Sequence, residues 1–273
     1  MFNADPQRLQ KLAPLIQRVV VVDPYAVSSE LMISLMRAMG STRVDVFDRS
    51  SLALQSIDSL NPQVVLTELS APAIDGVEFT RALRRSSLPC RRAPVIVVSA
   101  EATAEKIKAA RDAGAHEFLK KPFSAGDLFK RVENVATRPR SWVEAVIYVG
   151  PDRRRFNSGE YKGRRKRRAD GADTAPTAAE QVQEALKVLR SALLQAHQDP
   201  KQAERSIRAQ LDSLTEVALR AQDPRLVHAV AELGDYISTV ARGEKPVKTL
   251  GATFTALTSA AAEATDALDS KAV

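Results

Sequence analysis

Among 273 residues there is one cysteine, Cys90. No disulfide can close within the chain, and a reducing, cytoplasmic setting fits. No apolar run reaches the ~20 residues that cross a bilayer, so no membrane span is expected. Residues 1–17 carry Asp5, Pro6 and scattered charges where a signal peptide would have a basic start and an apolar stretch. These absences exclude a secreted disulfide scaffold and a membrane protein. What is present is 44% hydrophobic residues, enough for two modest domains with cores of their own.

The formal charge of +7 sits almost entirely in one place. Residues 151–168 hold Arg153, Arg154, Arg155, Lys162, Arg164, Arg165, Lys166, Arg167 and Arg168 against Asp152 and Glu160, a net +7, so the rest of the chain is formally neutral. Any anionic partner therefore has to be argued from this segment.

Leu9, Leu12, Leu15 and Ile16 recur at helical spacing and predict a short amphipathic helix in residues 1–17. From residue 18 to about 136 the pattern alternates. Residues 18–23 (RVVVVD) form a β-branched run of the kind found in parallel strands covered on both faces. Pro24 stops it, and Leu31, Leu35, Met36 and Met39 mark a helix closed by Gly40. Strands follow at 43–47, 63–68, 94–99 and 115–119, each succeeded by a helical segment. Five such repeats with short connections call for an α/β doubly wound parallel sheet with right-handed crossovers. In that architecture the functional crevice lies beyond the carboxyl ends of the central strands, a rule that selects Asp23, Glu68 and Ser99. Lys121, just after the last strand, can reach the same place. Two acids, a hydroxyl and an amine suit a phosphate or metal site, and equally an ion pair that caps strand ends.

The stretch Glu68-Leu69-Ser70-Ala71-Pro72-Ala73-Ile74-Asp75-Gly76 and the ending Gly114-Ala115-His116-Glu117-Phe118-Leu119-Lys120-Lys121-Pro122-Phe123 resemble the receiver domain of bacterial response regulators. The resemblance covers residues 18–136 and implies a chemotaxis-regulator-like fold. It implies that Lys121 contacts phosphoryl oxygens, that Ser99 is the hydroxyl that swings toward them, that Phe118 is an aromatic rotamer switch, and that Asp23 is one of two acids holding Mg²⁺. Two positions depart from the family. Pro24 replaces the second acid, and Glu68 replaces the aspartate that accepts the phosphoryl group. Mg²⁺ wants an octahedral oxygen shell, and Asp23 with a longer Glu68 makes a poor one, so no cofactor is expected. One added methylene also spoils the in-line geometry of phosphoryl transfer. The expectation is an atypical, phosphorylation-independent pseudo-receiver. Glu68 either lies near Lys121 and Ser99 in imitation of a phosphorylated side chain or belongs to a salt-bridged relic.

Residues 137–178 read as a linker. Within it, Tyr148-Val149-Gly150 followed by arginines is echoed by Tyr161-Lys162-Gly163 followed by arginines. Guanidinium groups with Tyr148, Phe156 and Tyr161 available to stack are compatible with a nucleic acid, an acidic protein surface or a solvated spacer. Trp142, Val143, Val146 and Ile147 can dock this segment on a domain.

Residues 179–268 read as an α-helical interaction module. Val182, Leu186, Leu189 and Leu193 form one stripe, Ile207, Leu211, Leu214 and Ala218 a second, Leu226, Val230, Leu233 and Ile237 a third, and Leu250, Phe254, Leu257 and Ala261 a weaker fourth. Asp199-Pro200 and Asp223-Pro224 each supply an N-cap followed by the first helical residue. His228 lies off its stripe and lacks the setting of a phosphotransfer histidine. Together these features point to a non-enzymatic response-regulator protein that works in signal transduction through a protein partner, with a homodimer allowed. The alternative is a nucleic-acid-binding regulator using the basic linker and the helices.

Overall fold

The computed structural model describes residues 5–153, 178–241 and 250–271. They divide into two compact units, one of residues 5–143 and 148–153, the other of residues 144–147 and the helices after 178.

In the first unit a parallel sheet is built from β1 (Arg18–Val22), β2 (Arg43–Phe47), β3 (Val64–Thr67), β6 (Val95–Ser99) and β7 (Glu117–Lys120), in the order β2-β1-β3-β6-β7. Valine-rich β1, β3 and β6 are buried along almost their whole length, as strands covered on both faces require. The short β4 (Ser70–Ala71) and β5 (Ile74–Asp75) pair with each other beside the crevice. One layer of helices holds α2 (Ala26–Ala38) and α6 (Ala125–Thr137), whose Met32, Met36, Leu128 and Val132 pack on Val19, Val21, Leu66 and Ile96. The opposite layer holds α3 (Ser50–Leu60) and α4 (Gly76–Arg85), with Ile57, Phe79 and Leu83 on Val20, Val22 and Val65. Beside them α5 (Ala104–Asp112) lays Ala110 on Val97 and Phe118.

The N-terminal helix α1 (Pro6–Leu12) buries Leu12, and Ile16, just past the turn that follows it, joins the same α2–α6 core. Leu15 departs from the expected stripe and is 41% exposed. The chain tightens into a 3-10 turn at Ala13–Leu15, which takes Leu15 off the buried face.

The sequence places residues 142–153 in a linker, whereas β8 (Trp142–Glu144) and β9 (Val149–Pro151) pair as a small two-stranded sheet. Its seat is Arg84, which has no exposed surface. Arg84 donates to the carbonyl oxygens of Gly114 (2.9 Å), Arg91 (2.6 Å) and Ala93 (2.9 Å), and its guanidinium carbon stands 5.4 Å from the centre of the Trp142 ring. Gly114, at φ +100°, has the carbonyl oxygen of Val149 only 2.7 Å from where a Cβ would stand, so a side chain here would push the strand off.

The second unit comprises α7 (Ala178–Gln195), α8 (Pro200–Ala221), α9 (Pro224–Ala241) and α10 (Leu250–Lys271). Asp199 caps α8 by accepting from the Gln202 amide at 3.1 Å, and Asp223 accepts from the Arg225 amide at 2.8 Å, so both Asp-Pro pairs start helices. The short connections make successive helices antiparallel neighbours. Leu189, Leu214, Leu226, Leu233 and Leu257 fill the common core. Leu193, Ile207, Leu211 and Ile237 sit only half-buried at its margin, and the side chain of Leu250 lies outside the described residues. The loop residue Val146 packs on Ala192 and Ala203, while buried Glu144 accepts from Gln202 (3.0 Å) and from the Ser206 hydroxyl (2.8 Å).

Candidate functional site

In a sheet of this order, chain direction across the sheet reverses between β1 and β3, and the crevice opens where those two strands end. The residues that follow them are Asp23 and Glu68, 2% and 4% exposed. After β7 the chain delivers Lys121, whose Nζ lies 2.7 Å from Asp23 Oδ2 and 2.7 Å from Glu68 Oε2. Burial works against the ammonium charge, but the two carboxylates outweigh it and the Lys121 pKa is raised.

The remaining carboxylate oxygens are also engaged. Asp23 Oδ1 accepts from the Tyr25 amide at 2.9 Å, and Oδ2 accepts from the Ser28 hydroxyl at 2.7 Å as well as from Lys121. Glu68 Oε1 accepts from the Leu69 amide at 2.8 Å. The Tyr25 ring, half exposed, stands 5.8 Å from Lys121 Nζ at the mouth. Tyr25 and Ser28 went unrecognised in the sequence. Their only local signal is position, two and five residues after a strand-end aspartate, where an amide and a hydroxyl can turn back onto it.

Ser99 lies at the end of β6, 3% exposed, but the structure does not bring it to Glu68. Its Oγ accepts instead from the Glu101 amide at 3.3 Å. The two oxygens of Glu68 are met by the Leu69 amide and Lys121. Phe118 is fully buried with Leu69, Val97, Ala110 and Ala115.

Gly76 closes the floor. A Cβ there would stand 2.1 Å from the Glu68 carbonyl oxygen, and the Gly76 amide donates to the Leu69 carbonyl at 2.8 Å. The Asp75-Gly76 pair therefore does two jobs: Asp75 caps α4 through the Glu78 amide, and Gly76 lets the backbone close against the strand end.

The response regulator receiver domain family matches residues 19–133, which includes every residue of this crevice. Residues 19–133 form a receiver domain. The chain is similar to the chemotaxis protein CheY of Pseudomonas aeruginosa, 28% identical over 121 residues that are 44% of this chain and 97% of CheY. It is also similar to the DNA-binding response regulator MtrA of Mycobacterium tuberculosis, 28% identical over 116 residues, 42% of this chain but only 49% of MtrA. The match thus spans about half of that regulator's length. Among solved structures, the receiver domain of the sensor histidine kinase PA1611 of Pseudomonas aeruginosa, described with magnesium in its active site cleft, aligns at 25% identity and a TM-score of 0.40 over 44% of this chain and 96% of that one. None of these alignments reaches more than half of this chain.

Of the residues expected to meet an anionic partner, Arg153 is described, and it is engaged at home. Its guanidinium bonds Asp112 at 3.0 Å and lies 4.4 Å from the centre of the Tyr148 ring. Tyr148, expected to be free to stack, is buried and donates to the Pro151 carbonyl at 2.6 Å. Burial pushes its phenol up to about 12. Arg154, Arg155, Lys162, Arg164, Arg165, Lys166, Arg167 and Arg168, with Phe156 and Tyr161, lie outside the described residues. His228 is exposed, 3.4 Å from Glu232.

Proposed function

We propose that this chain is an atypical response regulator whose receiver works without phosphorylation and passes its state on through contacts with a protein partner. The observation that carries this reading is the ammonium group of Lys121, held 2.7 Å from both Asp23 and Glu68. In a phosphorylated receiver those positions would serve the metal and the acceptor. Here they are tied to a cation of the chain itself.

The donor set does not suit Mg²⁺. Pro24 offers no second acid, and Asp23 and Glu68 are held by Lys121 and by backbone and hydroxyl donors. Among the described residues there is no group of three His, Cys, Asp or Glu side chains able to hold a metal ion. Mg²⁺ also demands near-ideal octahedral oxygen geometry. The chain turns over no substrate in this reading. Its receiver rests with the ion triad closed, and its output is a set of surfaces presented to a partner in a reducing, cytoplasmic compartment.

The test is intact-mass and peptide-mapping mass spectrometry after incubation with acetyl phosphate and Mg²⁺. No phosphoryl mass gain is expected within residues 18–136, and a stoichiometric gain there would refute the reading. A second reading, nucleic-acid binding, draws support from the likeness to MtrA, described as DNA-binding, and from the net +7 of residues 151–168. Binding that falls steeply with salt would favour it.

A further inference from the structure

The α1 helix lies ahead of the matched residues 19–133 and packs beside α6, its Leu12 in one core with Phe129 and Val132. The Arg8 guanidinium stands 5.0 Å from the centre of the Phe129 ring and pairs with Glu133, Nε to Oε1 at 2.6 Å and Nη2 to Oε2. Between the two helices runs an open groove of about 600 Å³. No apolar side chain lines it. Four of its lining residues are cations and two are acids, a net +2, and Asn134 and Thr137 complete it.

The charges in the groove are unequally used. Arg8 is paired with Glu133, and Arg131 reaches away to Glu117 at 2.7 Å. Asp127 is turned to Ser124 in a capping box at the start of α6. That leaves Lys130 and Arg138, both exposed, on which Asp127 and Glu133 act only through space. Among the described residues neither makes a side-chain hydrogen bond or ion pair. Lys130 lies within α6 and Arg138 is the residue just past its end, eight positions on, so along the axis they stand ~12 Å from each other. They therefore suit two separate anionic groups of an extended ligand and not one shared anion.

We infer that this groove is a sequence-independent contact surface for the phosphate backbone of a nucleic acid. Protein interfaces centre on apolar and aromatic anchors, which the groove lacks. Backbone phosphates are met by Lys and Arg, which it supplies as Lys130 and Arg138, while Asn134 donates to Glu117 at 2.7 Å and Thr137 to the Glu133 carbonyl at 2.7 Å. The inference goes beyond the proposed function, because it requires neither the crevice nor residues 154–168.

The experiment uses the full chain and fluorescence anisotropy with a labelled ~20-base-pair duplex of arbitrary sequence, between about 50 and about 200 mM salt. If Lys130 and Arg138 each neutralise one phosphate, Lys130→Ala/Arg138→Ala makes the slope of log affinity against log salt shallower by about 1.8. Wild type then loses about tenfold more affinity than the variant across that range. Lys108→Ala/Lys201→Ala, which removes two exposed cations elsewhere, should change the slope far less. Both variants are read against Arg164, Arg165, Arg167 and Arg168 all changed to Ala, which measures the share of the basic segment. Equal effects of the two lysine-containing pairs would reduce the groove to net charge and overturn the inference. So would an unaltered slope in Lys130→Ala/Arg138→Ala, absence of duplex binding by wild type at about 50 mM salt, or tighter binding of a polyglutamate peptide than of the duplex.

Discussion

Lys121 lies no farther from Asp23 than from Glu68, 2.7 Å in each case, so one ammonium serves two buried carboxylates. A buried charge that loses its partner is costlier than the pair is stabilising, by about 3–5 kcal/mol in well-enclosed cases. Lys121 keeps 18% of its side chain exposed, which places the cost of Lys121→Met at the lower end, about 3 kcal/mol. In the double variant Lys121→Met/Glu68→Gln one stranded charge is gone, and stability should return by about 1–2 kcal/mol. Urea unfolding of the four proteins of the cycle gives the coupling, and a coupling near zero would mean the triad is not a unit.

Release of the triad should also be visible at Phe118. Its ring is sealed with Leu69, the residue whose amide holds Glu68, and with Val97 of β6. Glu68→Gln keeps the shape and removes the charge facing Lys121, so a receiver poised between two states should shift. The expected result is a changed aromatic ¹⁹F or ¹³C signal for Phe118 together with altered partner binding. Identical Phe118 signals in wild type, Glu68→Gln and Lys121→Ala would mark the crevice as a rigid scaffold.

Rebuilding the site requires both lost groups. Glu68→Asp alone restores an acceptor of the right length but leaves Pro24 where a second acid would hold the metal, so acetyl phosphate should still label it weakly. Pro24→Asp/Glu68→Asp should be labelled at residue 68 in the presence of Mg²⁺. Labelling of the single variant as strong as that of the double would show Pro24 to be irrelevant.

The crevice was legible because it follows from strand order. A β-branched run that ends in Asp23, another that ends at Glu68 and a third that ends at Ser99 converge once the sheet is doubly wound. The helical unit was legible from the Asp-Pro caps and the leucine stripes. Which partner each polar group chooses was not. Glu68 could reach Lys121 or Ser99 by sequence, and in the structure it takes Lys121 and the Leu69 amide while Ser99 turns to the Glu101 amide. The seat of Trp142 was hidden for a different reason. Arg84, among the arginines that end α4, reads as a solvated helix end, and its acceptors come from Arg91, Ala93 and Gly114.

His116 gives the unit an acid-sensitive point. Its Nδ1 accepts from the Val95 amide at 3.3 Å and faces Arg84 Nη2 at 3.2 Å, so the ring has to stay neutral. Burial, and then Arg84 and Arg140, hold its pKa well below the usual histidine value. The unfolded chain takes up this proton near pH 6.5 and the folded one does not. The stabilising contribution is therefore complete above about pH 6.5 and declines below it, by up to about 1.4 kcal/mol per pH unit until the folded pKa is reached. Chemical denaturation from pH 7.5 to 5 should show this slope in wild type and a shallower one in His116→Gln, at about the same size of side chain.

Arg84 is the sharpest test of how residues 142–153 are held. Its three carbonyl acceptors are drawn from the chain before β6, from Gly114 and from the turn at Arg91, and no carboxylate is among them. The guanidinium reaches these acceptors from two separate nitrogens, Nε to Gly114 and Nη1 to Arg91 and Ala93, whereas a lysine carries all its donors on one nitrogen and cannot span the same acceptors, so Arg84→Lys is not conservative here. Leaving even two buried carbonyls unpaired costs about 2–6 kcal/mol. Arg84→Lys should therefore destabilise the receiver unit by at least about 2 kcal/mol, and Arg84→Met by more. Loss of the seat should also expose Trp142, the chain's single tryptophan, so its emission should shift to the red before global unfolding. Gly114→Ala provides a second route to the same end, because its Cβ would meet the Val149 carbonyl oxygen at 2.7 Å and Arg84 Cγ at 3.0 Å while Arg84 keeps its charge. Tryptophan emission unchanged in both Arg84→Lys and Gly114→Ala would mean that the small sheet holds itself and that Arg84 serves only the loops ahead of β6.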